Sequence, residues 1–459
     1  MGRALEPLGG PADLSGRAPG RGASDARLAA FHVLADVRKG AFADRSAAER
    51  LPSLPERDRR LAMELAYGCL RLRDRLDHEL SALSDRPARR IEPAVLDWLR
   101  IGLYQLREMR VPAHAAVHEA VEGVRATVGR RATGFVNGVL RAAGRVEDRE
   151  ALFPRLEDDP EGHLSTWGSH PAWLVRRWLG RWSVEEVARL VELDNTPPQV
   201  TARLLDRREA AAPARASGAD VVTEPLEGWP RMVRLVRGDP ASFLRAVPAV
   251  VQDPAASAVV DYVGPPGPGT FVDLCSAPGG KGVALAHARP GGAGLSVAAD
   301  VDPGRLGSVR EAARRTGTEL APVVMDGRRP AIRGASTVLA DVPCTGTGTL
   351  RRRPDARWRI DERRLAAMTA LQEELVEACA GLVEPGGLLV YATCSLEPEE
   401  NEDRVREFLD RHADFAREAA PAGPGLPGGV LDAEGQLRVL PWRTGTDGSF
   451  AARLRRRAA

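Results

Sequence analysis

The stretch TFVDLCSAPGGKG, residues 270–282, joins a short apolar strand to a helix through a turn rich in glycine. Beyond it, strand-like and helical segments alternate almost to the end of the chain, with helices predicted over 361–382 and 400–412. The strand-like segments are TFVDL, LSVAAD, APVVMD, TVLADV and GLLVYAT. Strands that alternate with helices predict a mostly parallel, doubly wound sheet, because each parallel connection needs a crossover. Residues 251–459 are therefore predicted to form one α/β domain, with late edge strands in its tail.

Upstream, residues 25–150 carry the 3.6-residue periodicity of amphipathic helices and predict a small helical bundle. Apolar side chains recur there at steps of three and four, as in Leu61, Leu65, Cys69, Leu72, Leu76 and Leu80. Residues 1–24, rich in Gly, Pro and Arg, are expected to be disordered. Residues 151–194 are predicted to be a helical linker, and residues 195–250 a small α/β subdomain of short strands. The fold class is therefore an α + α/β multidomain protein.

Composition excludes several classes of protein. The 459 residues carry a net charge of +2 and are 43% apolar, so there is ample core but no global field that attracts nucleic acid. No apolar run reaches the ~18 residues of a membrane span, so no membrane partner is expected. Five cysteines without a C-x-x-C pair argue against a disulfide framework and a structural zinc site, so no metal is predicted. A reducing, cytoplasmic compartment fits best.

Arginine supplies nearly all of the positive charge, since of 65 basic residues only Lys39 and Lys281 are lysine. A lysine that stands out against this bias is a candidate for a role that arginine cannot fill, because a compact ammonium differs from a planar guanidinium. On the helical bundle the arginines form three groups: Arg57, Arg59 and Arg60; Arg71, Arg73 and Arg75; and Arg86, Arg89 and Arg90. A solvated face and a phosphate-contacting surface both remain open for these groups.

The glycine turn and the acids at two later strand ends indicate a nucleoside-binding site. Gly279 and Gly280 let the backbone approach a ligand near the N-terminus of the next helix, although a Gly-Gly pair alone also suits a structural turn. About 20 residues later a strand ends in Asp300, where an acid would bind ribose hydroxyls, and a third strand ends in Asp326. Neither a full G-x-G-x-x-G nor a phosphate loop is present. S-adenosylmethionine, an adenosyl cofactor without a pyrophosphate, therefore fits better than NAD or ATP.

Several side chains follow strand ends of this domain, and ligands of doubly wound sheets bind beyond those ends. We expect these side chains to converge on the cofactor crevice: Asp326, Asp341, Cys344 and Cys394. A lone cysteine is most often a small buried hydrophobe, which suits Cys69 and Cys379 on predicted helices. Two cysteines on separate strand-end loops of one crevice favour chemistry instead.

Paired thiols beside a methyl donor suggest one reaction type. Carbon 5 of a pyrimidine is a poor nucleophile, but a thiolate that adds to carbon 6 turns the ring into an enamine-like nucleophile. After methyl transfer the proton on carbon 5 has to leave so that the thiol can be expelled. Such a site needs a nucleophile, an acid near ring nitrogen 3 and a base. A thiol of pKa ~8.5 is mostly protonated at neutral pH, so the site should favour the thiolate.

From about residue 25 to its end, the sequence resembles the RsmB-type bacterial RNA (cytosine-5) methyltransferases, relatives of the NSUN enzymes. DLCSAPGGK, DVPCTGTGTLRRRPDARW and YATCSLEPEENE are similar to that family's cofactor, proline-cysteine and threonine-cysteine-serine motifs. PAHAAVHEAVEGVR and GFVNGVLR resemble the RNA-binding domain of the antitermination factor NusB. The resemblance implies an all-α NusB-like bundle and a Rossmann-like, S-adenosylmethionine-dependent methyltransferase domain. It also implies methylation of carbon 5 of a cytosine in 16S ribosomal RNA.

The same resemblance implies roles for individual residues. Cys394 would be the nucleophile that attacks carbon 6, and Cys344 the thiol that assists proton removal and product release. Asp341 would contact the cytosine edge near nitrogen 3 and lie close to the cofactor. Asp300 would bind the ribose, and Asp326 would lie near the adenine. The cofactor loop would consist of Cys275, Ser276, Ala277, Pro278, Gly279, Gly280 and Lys281.

Two departures limit what is transferred from the family. Ser276 stands where relatives have alanine, and no role is assigned to Arg203 because its segment matches poorly. Transfer RNA is the closest alternative substrate, and a non-catalytic RNA-binding assembly factor is the alternative from another class. DNA is disfavoured, because DNA cytosine-5 enzymes take their nucleophile from the proline-cysteine turn and here a second thiol is present. The expected partner is 16S ribosomal RNA, free or within an assembling small subunit, and a monomer is expected.

Overall fold

The computed structural model describes residues 24–206, 214–215, 221–421 and 425–458. Apart from Ser24, the segment predicted to be disordered lies outside these residues. The described chain forms two compact units, the first ending at Phe153 and the second beginning at Pro154. None of the described helices combines the length and apolar character of a membrane span.

The first unit is a helical bundle, as the periodicity predicts. Its helices are α1 (Asp25–Arg38), α2 (Ala43–Arg50), α3 (Glu56–Arg71), α4 (Arg73–Ser84), α5 (Pro93–Glu108), α6 (Ala113–Thr127) and α7 (Thr133–Ala143). The apolar stripe predicted on α3 and α4 is buried from Leu65 to Leu80, and Trp98 of α5 stacks on Phe31 of α1 at 5.1 Å. These stripes meet in one core, which fixes the bundle.

The three arginine groups of this unit differ in exposure. The first and third groups are largely exposed, whereas in the second Arg71 is buried and Arg73 and Arg75 are half-buried. Burial lowers the pKa of Arg75 to about 10. The second group therefore belongs to the packing of the unit, and the two surface interpretations apply only to the others.

The second unit opens with three helices, α8 (Pro160–Thr166), α9 (Ala172–Leu179) and α10 (Val184–Asp194). A capping box begins α10, in which Ser183 and Glu186 each accept a hydrogen bond from the other's backbone N–H. Apolar side chains of the three helices share a core with Leu350, Ile360 and Leu396. The segment interpreted as a linker is therefore packed against the domain that follows.

A five-stranded antiparallel sheet comes next. Its strands are β1 (Thr201–Leu204), β2 (Ala214–Arg215), β3 (Val222–Leu226), β4 (Trp229–Arg237) and β5 (Ala249–Val251), in the order β2-β3-β4-β1-β5. One helix, α11 (Pro240–Ala246), precedes β5. Arg203 is buried, and its guanidinium lies 2.6 Å from Asp261 and donates to the carbonyl of Ser257 at 3.2 Å. Arg203 therefore ties this sheet to the next domain.

The rest of the chain surrounds an eight-stranded sheet. Its helices are α12 (Pro254–Val263), α13 (Gly280–His287), α14 (Leu306–Thr316), α15 (Glu362–Leu382), α16 (Glu402–Arg411) and α17 (Pro441–Thr444). Its strands are β6 (Phe271–Leu274), β7 (Ser296–Asp300), β8 (Ala321–Val324), β9 (Ala335–Asp341), β10 (Val383–Thr393), β11 (Phe415–Arg417), β12 (Leu437–Val439) and β13 (Ser449–Arg456). Strands β8-β7-β6-β9-β10 are parallel, and β13 adds an antiparallel edge with β11 and β12. The predicted Rossmann-like, mostly parallel sheet is confirmed.

The strand order brings three loops together at the carboxyl edge of this sheet. β6 pairs with β9, with Leu274 opposite Ala340, and β9 pairs with β10, with Asp341 opposite Ala392. The loops that follow these three strands therefore begin side by side. The strand order reverses between β6 and β9, which is where doubly wound sheets bind ligands.

Candidate active site

The thiols of Cys344 and Cys394 lie next to each other, with 3.3 Å between their Sγ atoms. Cys394 directly follows β10, and Cys344 lies in the loop that begins after Asp341 of β9. Because β9 and β10 are neighbours, these two loops bring the thiols together. Both side chains are half-buried rather than enclosed in the core. The structure thus joins the two cysteines that the sequence placed on separate strand-end loops.

The environment of the two thiols gives them different pKa values. The hydrogen bond from Cys344 lowers the pKa of the Cys394 thiol, and the charges of Lys281 and Arg353 act in the same direction, against burial and the charge of Asp341. The same hydrogen bond, followed by burial, raises the pKa of Cys344 well above its usual value. Cys394 therefore ionises first, and Cys344 stays protonated beside it as a donor.

Lys281 and Asp341 form an ion pair beside the thiols, with 2.7 Å between Nζ and Oδ2. Lys281 lies in the first turn of α13 and Asp341 at the end of β9. Burial lowers the pKa of the Lys281 ammonium, but the charge of Asp341 and its hydrogen bond outweigh burial and raise that pKa above its usual value. The ammonium therefore stays charged near the Cys394 sulfur, where it favours the thiolate.

The loop between β6 and α13 is shaped by glycine and by one buried carboxyl group. Gly279 has a φ of +99°, which other residues adopt only with strain. Asp273 is buried and accepts a hydrogen bond from Ser276 Oγ at 2.6 Å, while a Cβ added to Gly282 would lie 2.3 Å from its Oδ2. Burial raises the pKa of Asp273 to about 7. The Ser276 hydroxyl therefore donates a hydrogen bond to Asp273 that an alanine at this position could not make.

Residues beyond β7 and β8 complete a surface that fits an adenosyl group. The Asp300 carboxylate accepts hydrogen bonds from the backbone N–H groups of Ala277 at 3.1 Å and Asp302 at 3.0 Å. The first of these holds the glycine loop in place. A carboxylate has more lone pairs than these two bonds use, so Asp300 can also accept hydrogen bonds from a ligand. Asp300 lies opposite Val324 in the sheet, and Val301 and Val324 are 67% and 58% exposed. A flat heterocycle can cover this exposed apolar surface.

Asp326, the third predicted strand-end acid, is half-buried. Its carboxylate lies 2.8 Å from the Arg328 guanidinium, and the hydrogen bond from Arg328 lowers its pKa to about 2. The carboxylate is therefore ionised throughout the neutral range. Together with the glycine loop and Asp300, the residues present fit S-adenosylmethionine.

The remaining three cysteines differ from the paired thiols in their surroundings. Cys69 and Cys379 are buried, as expected of small hydrophobes. Cys275 has a φ of +62°, and its side chain packs against the apolar core of the sheet. The side chain of Cys275 therefore belongs to the core, and its backbone forms part of the glycine loop. Burial raises the pKa of the Cys275 thiol. Within the described ranges, no group of three His, Cys, Asp or Glu side chains could hold a metal ion.

A buried carboxylate, missed by the sequence analysis, connects the two cysteine loops. Glu400 Oε1 accepts hydrogen bonds from the backbone N–H of Thr345 at 2.8 Å and from Gln372 Nε2 at 2.9 Å. Gln372 also donates to the carbonyl of Pro343 at 2.9 Å. Glu400 therefore holds the residue that follows Cys344, while it lies six positions beyond Cys394 in the other loop. In the sequence, Glu400 belongs to a run of acidic residues, and such a run predicts an exposed turn rather than a buried carboxylate.

A second buried carboxylate attaches the Cys394 loop to the helices at the start of this unit. Glu397 is fully buried, with its Oε1 bound by the Trp178 indole N–H at 3.1 Å and its Oε2 by Arg177 at 3.0 Å. Arg181 donates to the carbonyl of Leu396 at 2.7 Å. Helix α9 and the turn after it therefore brace the loop that carries the lower-pKa thiol.

We expect Trp178→Phe to lower the free energy of unfolding by about 1–3 kcal/mol, because the buried Glu397 Oε1 would lose its donor while the apolar contacts mostly remain. Urea denaturation followed by circular dichroism measures this change. Trp182→Phe is the matched control, since Trp182 is half-buried and its ring lies against Trp442. Equal losses in the two variants would contradict the brace.

The chain is similar to known methyltransferases along most of its length. The family model 16S rRNA methyltransferase RsmB/F matches residues 263–455, and the NusB family model matches residues 24–145. A putative methyltransferase of Mycobacterium tuberculosis is 37% identical, with 94% of this chain and 96% of the relative covered. Ribosomal RNA small subunit methyltransferase B of Klebsiella pneumoniae is 33% identical, with 87% of this chain and 94% of the relative covered. The probable enzyme of the same name from Bacillus subtilis is 31% identical, with 88% and 92% covered.

Two solved structures show the same fold. The crystal structure of PH0851 matches with a TM-score of 0.72 and 25% identity, covering 95% of this chain and 100% of the other. A methyltransferase homologue from Pyrococcus horikoshii matches with a TM-score of 0.50 and 24% identity, covering 65% of this chain and 98% of the other.

Proposed function

The chain belongs to the 16S rRNA methyltransferase RsmB/F family, and from this premise we propose that it methylates carbon 5 of a cytosine in small-subunit ribosomal RNA. It is an S-adenosylmethionine-dependent RNA methyltransferase with a NusB-family domain. The proposal adds the RNA substrate, the methylated atom and a covalent route. One observation carries it, namely two thiols 3.3 Å apart beside the ion pair of Lys281 and Asp341.

The first step assigned to this site is addition of Cys394 to the base. The Cys394 thiolate forms a bond to carbon 6, and the electron pair of the 5,6 double bond moves toward carbon 5 and the nitrogen 3 edge. Asp341 contacts that edge, and its ion pair with Lys281 keeps it in place. Carbon 5 thereby becomes nucleophilic enough to take a methyl group.

S-adenosylmethionine, when bound, supplies that methyl group from its sulfonium. The groups assigned to hold it are the loop from Cys275 to Lys281, Asp300 at the ribose and Asp326 near the adenine. Support comes from the left-handed Gly279, the hydrogen bond that Asp300 accepts from the backbone N–H of Ala277 in the loop, and the exposed Val301 and Val324.

Release of the product reverses the addition. The Cys344 sulfur, as thiolate, takes the proton from carbon 5, the 5,6 double bond forms again, and the bond from carbon 6 to sulfur breaks with its electron pair on Cys394. Cys344 can lose its own proton at this stage, because Cys394 is then bonded to carbon 6 and no longer raises the pKa of Cys344 through its hydrogen bond and charge. Cys344 is assigned to assist this step, because it is the titratable side chain in direct contact with the Cys394 sulfur. All of these groups come from one chain, so a monomer suffices.

The test is methyl transfer from S-adenosylmethionine that carries a labelled methyl group. The full chain is incubated with a 16S rRNA transcript, small-subunit particles, 23S rRNA and total tRNA. The labelled RNA is then mapped by bisulfite sequencing. We expect label at carbon 5 of a cytosine in 16S rRNA, either in the transcript or only in particles.

Two other outcomes would overturn the proposal. Label confined to tRNA would assign the protein to the alternative substrate. No label in any RNA, with S-adenosylmethionine binding retained in calorimetry, would indicate a non-catalytic RNA-binding assembly factor.

Lys281→Gln should shift the pH dependence of methyl transfer. The Lys281 ammonium favours the Cys394 thiolate and so contributes to the lowered pKa of that thiol. Its loss raises the thiol pKa, so the rising limb of the rate profile moves to higher pH. A displacement of about one pH unit corresponds to about tenfold less activity at pH 7. Initial rates at saturating cofactor between pH 6 and 10 measure this.

The matched control is Lys39→Gln, at the only other lysine of the chain, which is exposed in the first unit. We expect its pH profile to coincide with that of the unmodified protein. A Lys281→Gln profile that also coincides would show that Lys281 does not tune the thiol.

A further inference from the structure

Helix α7 of the first unit carries a row of arginines on its solvent side. Arg130 and Arg131 precede the helix, and Arg141 and Arg145 lie near or just past its other end. All four are exposed, and none has an ion-pair partner among the described residues. The opposite side of α7 is buried in the core. Arg141 lies ten positions after Arg131, so the row extends over about 15 Å.

Two glycines without side chains occupy the exposed helix surface between these arginines. Gly134 and Gly138 lie one turn apart, and both are exposed. A Cβ added to either would meet no atom of the described residues within 4 Å, so no contact within the described part of the chain requires glycine there. Each glycine costs a helix about 1 kcal/mol relative to alanine. Because Gly134 and Gly138 have no side chains, the backbone of a binding partner can approach the helix closely between the arginines.

A fifth arginine extends the same surface sideways. The Arg86 guanidinium lies over the Phe135 ring, 5.5 Å from its centroid, and Phe135 is the residue after Gly134. Arg86 is exposed and begins the turn that also contains the exposed Arg89 and Arg90. Exposed Asp85 and Glu92 flank this turn, and their charges offset part of its positive charge.

We infer that this surface, Arg130, Arg131, Gly134, Gly138, Arg141 and Arg145, binds the phosphate backbone of the substrate RNA. Unpaired guanidiniums match phosphate geometry and release counterions on binding, which gives affinity without base sequence. The bare helix between them lets the sugar-phosphate chain approach. The inference rests on the proposed function, because it takes ribosomal RNA to be the substrate.

The test compares full-length variants in binding a 16S rRNA transcript, measured by filter binding across a range of KCl concentrations. We expect R131Q/R141Q to weaken binding on the order of tenfold at 0.1 M salt, and the slope of log K against log salt to fall by about 1 per arginine. G134L/G138L should weaken binding without that change in slope. The matched control is R45Q/R314Q, which removes two exposed arginines that are paired with Glu49 and Glu311.

Circular dichroism and S-adenosylmethionine calorimetry verify that each variant is folded. If the unmodified chain binds and methylates the transcript while R131Q/R141Q keeps its affinity and slope, this surface is wrong and the proposed function stands. If the unmodified chain neither binds nor labels any rRNA, the proposed function itself fails. Loss of binding to small-subunit particles but not to the naked transcript would assign the surface to a protein partner instead.

Discussion

Cys394→Ala is expected to abolish methyl transfer to RNA and to leave no covalent protein–RNA adduct. Without the thiolate at this position, carbon 5 of the base is not activated. The Cys344 thiol cannot substitute, because burial and the charge of Glu400 still raise its pKa when the Cys394 sulfur is absent. Removal of a nucleophile of this kind lowers turnover by about 10³-fold or more. Labelled methyl transfer measures turnover, and denaturing gels with labelled RNA detect the adduct.

Cys379→Ala is the control for loss of a cysteine as such, since Cys379 is buried in an apolar core of the same unit. Its activity should remain close to that of the unmodified protein. Substantial methylation by Cys394→Ala would exclude the assignment of Cys394 as nucleophile.

Cys344→Ala is expected to trap the protein on its RNA. The first addition and methyl transfer need Cys394, which this variant retains, whereas release needs the group that contacts the Cys394 sulfur at 3.3 Å. The adduct should therefore accumulate to about one RNA per protein and survive denaturing electrophoresis, while turnover stops. Gel mobility after treatment with protease and with nuclease identifies the band.

The double variant with both alanines isolates the origin of this band. It should form no adduct, because the covalent bond is made by Cys394. An adduct in Cys394→Ala together with none in Cys344→Ala would reverse the two roles. Absence of an adduct from every variant, with methylation intact in the unmodified protein, would argue for a route without covalent attachment.

Local patterns were sufficient for most of the fold. The stripe from Leu61 to Leu80 and the alternation after residue 270 each depend on residues a few positions apart, so a bundle and a parallel sheet could be predicted from them. The cysteine and aspartate positions at strand ends were also readable, because strand ends share one edge of a parallel sheet. The pairing of roles between Cys344 and Cys394 came from resemblance to a family rather than from spacing.

The buried residues that hold the two cysteine loops in place could not be predicted from the sequence. Four acids in the nine residues 394–402 look like a solvated turn, yet Glu397 and Glu400 are fully buried. Their partners lie far away in sequence, with Trp178 separated from Glu397 by 219 positions. Likewise, the arginines of α3 and α4 resemble one surface in sequence, but Arg71 is buried.

The sequence by itself determined which segments are helices and strands, where the glycine turn lies, and which thiols and acids follow strand ends. These properties depend on side-chain periodicity and on turn chemistry within a few residues. Only the tertiary structure decided that the two sulfur atoms touch, which of them ionises first, and which buried carboxylates hold their loops. Those outcomes depend on burial and on hydrogen bonds between residues distant in the chain, because desolvation and charge act through space and not along the sequence.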